Sequence, residues 1–156
     1  MGLLVDILNG LFNRKPRPLP KPNPNPPIPD ETQDSVLLKL HNDRRGVLCQ
    51  LVINPQLTAA AQKHAQWMAD SNVMSHNEGR SSVADRVKAV GYSWSYVGEN
   101  IAQGYPTPDI VFQNWMNSPG HRANILNRNY KDVGFGIAKD VNGTIFWCAD
   151  LGRQGA

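Results

Sequence analysis

Residues 115–136 read WMNSPGHRANILNRNYKDVGFG, and the hydrophobic period changes within this stretch. The residues before it show helical spacing after a helix start at Thr107. At its end, Val133, Phe135 and Ile137 alternate as on one face of a β-strand. Helices followed by strands predict an α+β fold.

The segment that follows predicts a β-hairpin. Asn142 and Gly143 form a dipeptide that favours a type I′ turn. Beyond the turn, Ile145, Trp147 and Ala149 alternate again and are expected to pair with the strand before it. The sheet is therefore expected to be small and antiparallel.

Three further helices are predicted upstream. The first contains HNDRR and ends at the glycine that follows. The second begins at Pro55 after the N-cap Asn54. A short third helix begins with the capping arrangement of Ser82 and Asp85 and closes at Gly91.

The positive charge of the chain is confined to its start. The net charge is +3, and residues 1–29 account for all of it, with four basic residues against Asp6. The remainder has as many acidic as basic residues. Nucleic-acid binding requires a basic face that neutralises phosphates, so the composition argues against a nucleic-acid partner.

Residues 1–15 are predicted to form a short amphipathic anchoring helix. A helix of about 12 residues is marginal alone in water, so we expect it to lie in a partner groove, on a copy of itself or at a membrane interface. A frayed terminus is the alternative. The apolar stripe contains Leu4, Ile7, Leu8, Leu11 and Phe12.

Residues 16–29 are rich in proline and predict a semi-rigid linker arm, which leaves residues 30–156 as the folded domain. The start of the chain lacks a basic leader and a small-residue cleavage site, so no recognisable signal peptide is expected. No apolar run approaches the length of about 20 residues that spans a membrane.

Two cysteines, Cys49 and Cys148, are too few for a scaffold built on disulfides. Free cysteine behaves as a small hydrophobic residue, so two buried thiols are favoured over a single bridge. The bridge remains the alternative.

Five motifs occur in order through residues 30–152: HN followed by Arg45, AQKHAQWMA with SHN beyond it, GEN, WMNSPGHRANILN and VGFG. This pattern resembles bacterial members of the CAP superfamily, which comprises cysteine-rich secretory proteins, antigen 5 and pathogenesis-related proteins. The resemblance implies an α–β–α sandwich with a small antiparallel sheet flanked by helices. It also implies a cleft in which two histidines and two acidic residues face each other.

Position by position, His76, Glu99 and His121 match three members of that tetrad. The fourth should be an acid on the helix before the last histidine, where counting back from His121 leads to Ser118. The chain therefore departs from the fuller family pattern at this position.

The matched residues suggest two kinds of site. His76, His121 and Glu99 are a candidate ligand set for Zn²⁺ or another divalent cation, with water in a fourth position. The alternative, which we favour, is a hydrogen-bonded polar cleft in which Glu99 ties its loop to the histidines.

Other chemistry-bearing residues are expected to have structural roles. His41 should fix the first helix through side-chain hydrogen bonds, and His64 should be a satisfied histidine on the second. Glu78 is expected to be a solvated loop carboxylate. Three aromatic residues alternate in a segment expected to be a loop beside the cleft, namely Tyr92, Trp94 and Tyr96.

These features favour a non-enzymatic binding or display module. The arm would attach it to a surface or a larger assembly, such as a phage particle or secretion-type machine. The cleft would face an extracellular or cell-envelope ligand, for which the family resemblance suggests a lipid or sterol. Two alternatives remain: a metal-assisted hydrolase acting on peptide or cell-wall material, and a structural component with a vestigial cleft.

Overall fold

The structure is a computed structural model and describes residues 32–155, so the predicted anchoring helix and linker arm lie outside the described residues. The α+β class is confirmed. No helix among these residues is both long and apolar enough to cross a membrane. Along the chain the elements are α1 (Gln33–Arg45), a 3-10 turn (Val47–Cys49), β1 (Val52–Ile53), α2 (Pro55–Ser71), α3 (Val83–Ala89), β2 (Trp94–Gln103), α4 (Pro108–Asn117), α5 (Pro119–Leu126), β3 (Asp132–Lys139) and β4 (Ile145–Gln154).

The strands form one sheet in the order β1-β3-β4-β2. The predicted pairing of β3 with β4 is confirmed, with Phe135 opposite Ala149 and Ile137 opposite Trp147. β2 also pairs antiparallel with β4, whereas the two-residue β1 runs parallel to β3. The sheet is therefore mixed rather than purely antiparallel.

The strand β2 occupies the segment that the sequence suggests to be a loop. Trp94 begins the strand, and Tyr92 just before it is fully buried. The residues from 99 to 102 are buried in succession, because helices cover both faces of this half of the strand: Ile101 packs with α2 and Ala102 with α4. A strand covered on both faces lacks the alternation that reveals a half-exposed one.

The sheet lies between two helical layers, which confirms the sandwich. On one face, Trp115 of α4 and Ile125 of α5 pack with Phe135 and Trp147. On the other face, α2 approaches β3 closely at glycine: a Cβ atom on Gly134 would lie 2.0 Å from a backbone nitrogen of α2.

The helix boundaries follow the predicted caps, with one correction. Asn54 accepts hydrogen bonds from the first backbone N–H groups of α2, and Ser82 and Asp85 form the capping box of α3. The helix begun after Thr107 ends at Asn117, because a proline at 119 disfavours helical backbone at Ser118. His121 therefore lies on a separate helix, so counting back from it along one helix was wrong.

The β3–β4 connection is not the predicted type I′ turn. The N–H of Gly143 donates to the carbonyl of Asp140, and Gly143 has a φ of 85° whereas Asn142 does not have positive φ. The Asp140 carboxylate accepts from the N–H groups of Asn142 and Thr144. These bonds hold a longer connection in which one glycine takes the left-handed conformation.

Both cysteines are buried free thiols, which confirms the favoured interpretation. Cys49 lies in the 3-10 turn and Cys148 within β4.

Candidate functional site

The loop between α2 and α3 brings His76 to the strand β2. α2 ends at Ser71, and the left-handed backbone of its C-cap, Asn72, turns the chain away from the helix axis. The Nδ1 atom of His76 lies 2.7 Å from Oε1 of Glu99. The Glu99 side chain is 2% exposed and that of His76 is 56% exposed, so a buried carboxylate holds an accessible imidazole.

The second oxygen of Glu99 is also occupied. Oε2 accepts from the Nη2 group of Arg86 and lies 3.6 Å from Nε2 of His64. Burial by itself would raise the pKa of the Glu99 carboxyl, but the His76 hydrogen bond and the Arg86 charge together lower it below its usual value. Glu99 is therefore ionised at neutral pH.

An ionised Glu99 determines how His76 presents its ring. The hydrogen bond to Glu99 raises the pKa of His76 above its usual value, against the opposing effect of burial. A carboxylate can only accept, so Nδ1 carries the proton of this bond. The neutral imidazole then presents Nε2 as an acceptor.

His121, in the first turn of α5, is held beside β2 by asparagines. Asn100 donates through Nδ2 to the His121 carbonyl at 3.1 Å, and Asn124 donates to the Glu99 carbonyl, also at 3.1 Å. Burial and the nearby His76 lower the pKa of the His121 imidazole. Its Nδ1 atom is buried without a hydrogen-bond partner. Ser118 lies at the N-cap of the same helix and makes no side-chain capping bond.

Glu78 is not the solvated carboxylate expected from the sequence. Its Oε1 lies 2.7 Å from Nδ1 of His64 and 3.8 Å from Nε of Arg86. His64 itself is fully buried, and its Nε2 lies 2.9 Å from the Ser75 carbonyl. The structural role expected of His64 is confirmed, and Glu78 completes its hydrogen bonding.

Three further members of this network were missed by sequence reasoning: Arg86, Cys148 and Asp150. The Cys148 thiol lies 3.5 Å from Glu99 Oε2 and 3.6 Å from Asp150 Oδ1. The available signal was the position of Asp150 in the apolar run of β4, where a charged residue is out of place. Arg86 gave no signal, because its partners lie 5, 10 and 13 residues away, outside the spacings of three and four that reveal a side-chain pair on one helix.

His41 has the structural role predicted for it. Its Nδ1 lies 2.7 Å from the Leu37 carbonyl within α1. The ring is fully buried and packs at 5.0 Å from Phe112 and 5.3 Å from Phe135.

The donor set fits a divalent cation only in part. His76 and His121 can each offer one imidazole nitrogen, but both Glu99 oxygens are engaged. Within residues 32–155, the three metal-ligand atoms that lie within 4.8 Å of one another belong to Glu99, Cys148 and Asp150, a group that excludes both histidines. A catalytic zinc site usually has three protein ligands, so Glu99 suits the role of orienting His76 better than that of a ligand.

A groove of about 400 Å³ opens beside His121. Its described lining combines apolar and uncharged polar side chains and includes no Asp, Glu, Lys or Arg. The lining comprises Met74, Ile101, Ala102, Gln103, Gly104, Tyr105, Asn114, His121 and Thr144.

Comparison with known proteins places this architecture in a family. The uncharacterized protein YkwD of Bacillus subtilis (strain 168) is 38% identical over 104 residues, which cover 66% of this chain and 40% of YkwD. This chain therefore matches well under two thirds of that relative.

Solved structures share the fold. An outer surface protein of Borrelia burgdorferi superposes with a TM-score of 0.74 at 19% identity, over 79% of this chain and 93% of that one. An extracellular protein of Bacillus anthracis that contains an SCP domain superposes with a TM-score of 0.65 at 24% identity, over 83% of this chain and 45% of that one. The model of the cysteine-rich secretory protein family (CAP) matches residues 38–151, and the chain belongs to this family.

Proposed function

We propose that this CAP domain is a non-enzymatic binding module whose cleft, formed by His76, Glu99 and His121, receives an extracellular or cell-envelope ligand. The observation that carries the proposal is that both oxygens of the buried Glu99 carboxylate are engaged, one by His76 and the other by Arg86. A general base needs a free lone pair and a general acid a proton to give. Glu99 has no proton to give at neutral pH, and its carboxylate is 2% exposed with both oxygens hydrogen-bonded, so it is better placed to orient the exposed imidazole than to exchange a proton with a substrate.

The groove beside His121 supports a neutral, partly apolar ligand. Met74 is half exposed at its rim, and the described lining has no charged side chain. An acidic or basic polymer would find no opposite charge there, whereas a lipid or sterol could bury apolar surface against Met74 and Tyr105. His76 and His121 would contact the polar end of such a ligand.

The test is binding of a fluorescent sterol and a fluorescent neutral monoacyl lipid to the full chain. Met74→Lys places a charge at the groove and should weaken binding at least about tenfold. Val141→Lys is the matched control, because Val141 is fully exposed in the β3–β4 connection and does not line the groove. Absence of saturable binding, or equal affinity in both variants, would contradict the proposal and favour a structural component with a vestigial cleft.

Residues 1–29 are proposed to attach the module to a surface or a larger assembly. The support comes from the sequence, which combines the apolar stripe of residues 4–12 with all the net positive charge of the chain. An apolar stripe with basic flanks favours anionic surfaces. An extracellular or particle-displayed location accords with this proposal.

Attachment is tested by sedimentation of the full chain with phosphatidylglycerol vesicles and by its self-association. Leu8→Asp places a charge within the stripe and should abolish both kinds of interaction, since burying an unpaired charge is costly. Asn9→Asp adds the same charge outside the apolar stripe and should change vesicle binding and self-association little. Equal behaviour of the two variants would argue against attachment through the stripe.

A metal-assisted hydrolase is the second candidate, favoured by the accessible Nε2 of His76 and the unpartnered Nδ1 of His121. Bound Zn²⁺ would supply Lewis acidity. Zinc titration of the full chain, with His76→Ala, His121→Ala and the control His41→Leu, tests the ligands. Stoichiometric zinc lost only in the first two variants would support this candidate, and no zinc binding at micromolar concentration would exclude it.

A further inference from the structure

Arg86 contacts both His76 and Glu99 of the candidate site, although it lies on α3 and outside the family tetrad. Its side chain is 6% exposed, so its charge is withdrawn from water. Buried guanidinium groups are retained where their fixed fork of donors matches several acceptors at once. The guanidinium of Arg86 has such a set of acceptors, in Glu99 and in the loop that contains His76.

The guanidinium of Arg86 holds both the backbone and the ring of His76. Its Nη1 donates to the His76 backbone carbonyl at 2.9 Å, and its Nη2 donates to Oε2 of Glu99. The other oxygen of Glu99 holds Nδ1 of the His76 ring. One side chain thus fixes the backbone of the histidine directly and its ring through the carboxylate.

Further contacts of the Arg86 guanidinium connect it to the loop between α2 and α3. Nη1 also lies 3.4 Å from the Ser81 carbonyl, and Nε lies 3.8 Å from Oε1 of Glu78. Ser81 and Glu78 pair through their backbones, which closes the loop after His76. Arg86 therefore spans β2, the loop and α3.

We infer that Arg86 is the positioning residue of the cleft: by holding the Glu99 carboxylate in place, it imposes the Nδ1–H tautomer on neutral His76. The tautomer of an imidazole is set by the hydrogen bond that its other nitrogen makes. Without the fork, Glu99 would lose its orienting partner beside the buried Asp150. His76 could then exchange freely between its two tautomers.

This inference deepens the proposed function, because the imposed tautomer presents an Nε2 lone pair to whatever occupies the cleft. It needs no ligand to be tested. The lipid experiment can therefore fail while this inference stands, and the reverse also holds.

The experiment is ¹⁵N long-range NMR of the histidine rings in the full chain at a pH where His76 is neutral. The unsubstituted protein should show the Nδ1–H form, and Arg86→Lys should lower the ratio of Nδ1–H to Nε2–H about tenfold. Lysine keeps the charge but cannot donate to Glu99 and the His76 carbonyl as a fork. Glu78→Gln is the control, because it alters a neighbour of Arg86 that does not bond Glu99, and it should keep the original ratio.

A folded Arg86→Lys protein with an unchanged tautomer ratio would overturn the inference. If that variant does not fold, the inference is tested on the unsubstituted protein, through the NMR signals of Arg86 and the tautomer of His76. Two separate, slowly exchanging Nη signals for Arg86 together with the Nδ1–H form of His76 would support it. An averaged Nη signal, or His76 in the Nε2–H form, would overturn it.

Discussion

Asp150 of β4 lies directly opposite Glu99 of β2 in the sheet register, and both side chains are buried. The Cys148 thiol lies within 3.6 Å of both carboxyl groups, and one Asp150 oxygen has no hydrogen-bond partner. Two adjacent buried carboxylates cannot both ionise without a large cost. Burial and the charge of Glu99 raise the pKa of Asp150 well above its usual range, so Asp150 holds the proton of this pair.

Asp150→Asn is expected to stabilise the fold at neutral pH. Since the folded-state pKa of Asp150 is raised, the unfolded chain loses this proton first, and stability falls as pH rises above 3.8. Asparagine has no titratable proton and therefore removes that penalty, on the order of 1 kcal/mol. Urea unfolding at pH 4 and pH 7 checks this, with the exposed Asp43→Asn as control. A loss of stability confined to the Asp150 variant at pH 7 would contradict it.

Glu99→Gln is expected to lower the pKa of His76. The variant loses the negative charge of the acceptor, which strengthens the hydrogen bond to protonated His76 and raises this pKa, but keeps the Arg86 charge that lowers it. Because a raised histidine pKa stabilises the fold below pH 6.5 and ceases to do so as pH rises through the raised value, the variant should also lose this contribution on the acidic side. A histidine NMR titration measures the pKa, with His41 as internal reference. An unchanged His76 titration would show that Glu99 does not control the ring.

His41 should make the fold acid-sensitive. Burial lowers its pKa from 6.5 to about 4. The unfolded chain therefore binds a proton that the folded chain rejects, and stability falls by about 3 kcal/mol as pH drops from 6.5 to 4. His41→Leu should flatten this part of the stability curve. The control Phe112→Leu perturbs the same packing but should keep the slope, and equal slopes in the two variants would contradict the assignment.

Gly134→Ala should prevent α2 from packing on the sheet. The new Cβ would meet backbone atoms of Leu57 and Thr58 at about 2 Å, and backbone cannot rotate away. We expect a loss of about 3 kcal/mol or more. Gly120→Ala is the matched control, since its Cβ meets nothing within 4 Å and alanine favours the helix α5. Thermal unfolding of both variants measures the difference, and similar melting temperatures would exclude close contact as the reason for this glycine.

Arg45 should stabilise the helix-to-sheet connections. Its guanidinium donates to the carbonyls of Cys49, Ile125, Asn127 and Tyr130 at 2.5–2.9 Å. Arg45→Lys keeps the charge and loses most of these bonds, at a cost of about 2 kcal/mol. Arg44→Lys, on the exposed side of the same helix, should cost little. Denaturant unfolding compares the two, and equal midpoints would show that the bonds contribute nothing measurable.

The sequence predicted the helices because their signals are local. Asn54, Ser82 and Thr107 each cap a helix through bonds to the next few residues, so short patterns reveal them. β2 escaped prediction because helices cover both faces of its buried half, which removes the alternation, and because its partner β4 begins more than 40 residues later. The family resemblance supplied His76, Glu99 and His121, whereas no local pattern pointed to Arg86.

The sequence by itself therefore determined the family and the α+β class, since both depend on motifs or on spacing along one segment, and the family resemblance supplied the three candidate cleft residues. Only the tertiary structure decided how Glu99 is used. Its two oxygens meet His76 and Arg86, which approach from different segments of the chain, and Asp150 faces it across the sheet. Protonation and orientation depend on distances between residues remote in sequence, and folding alone sets those distances.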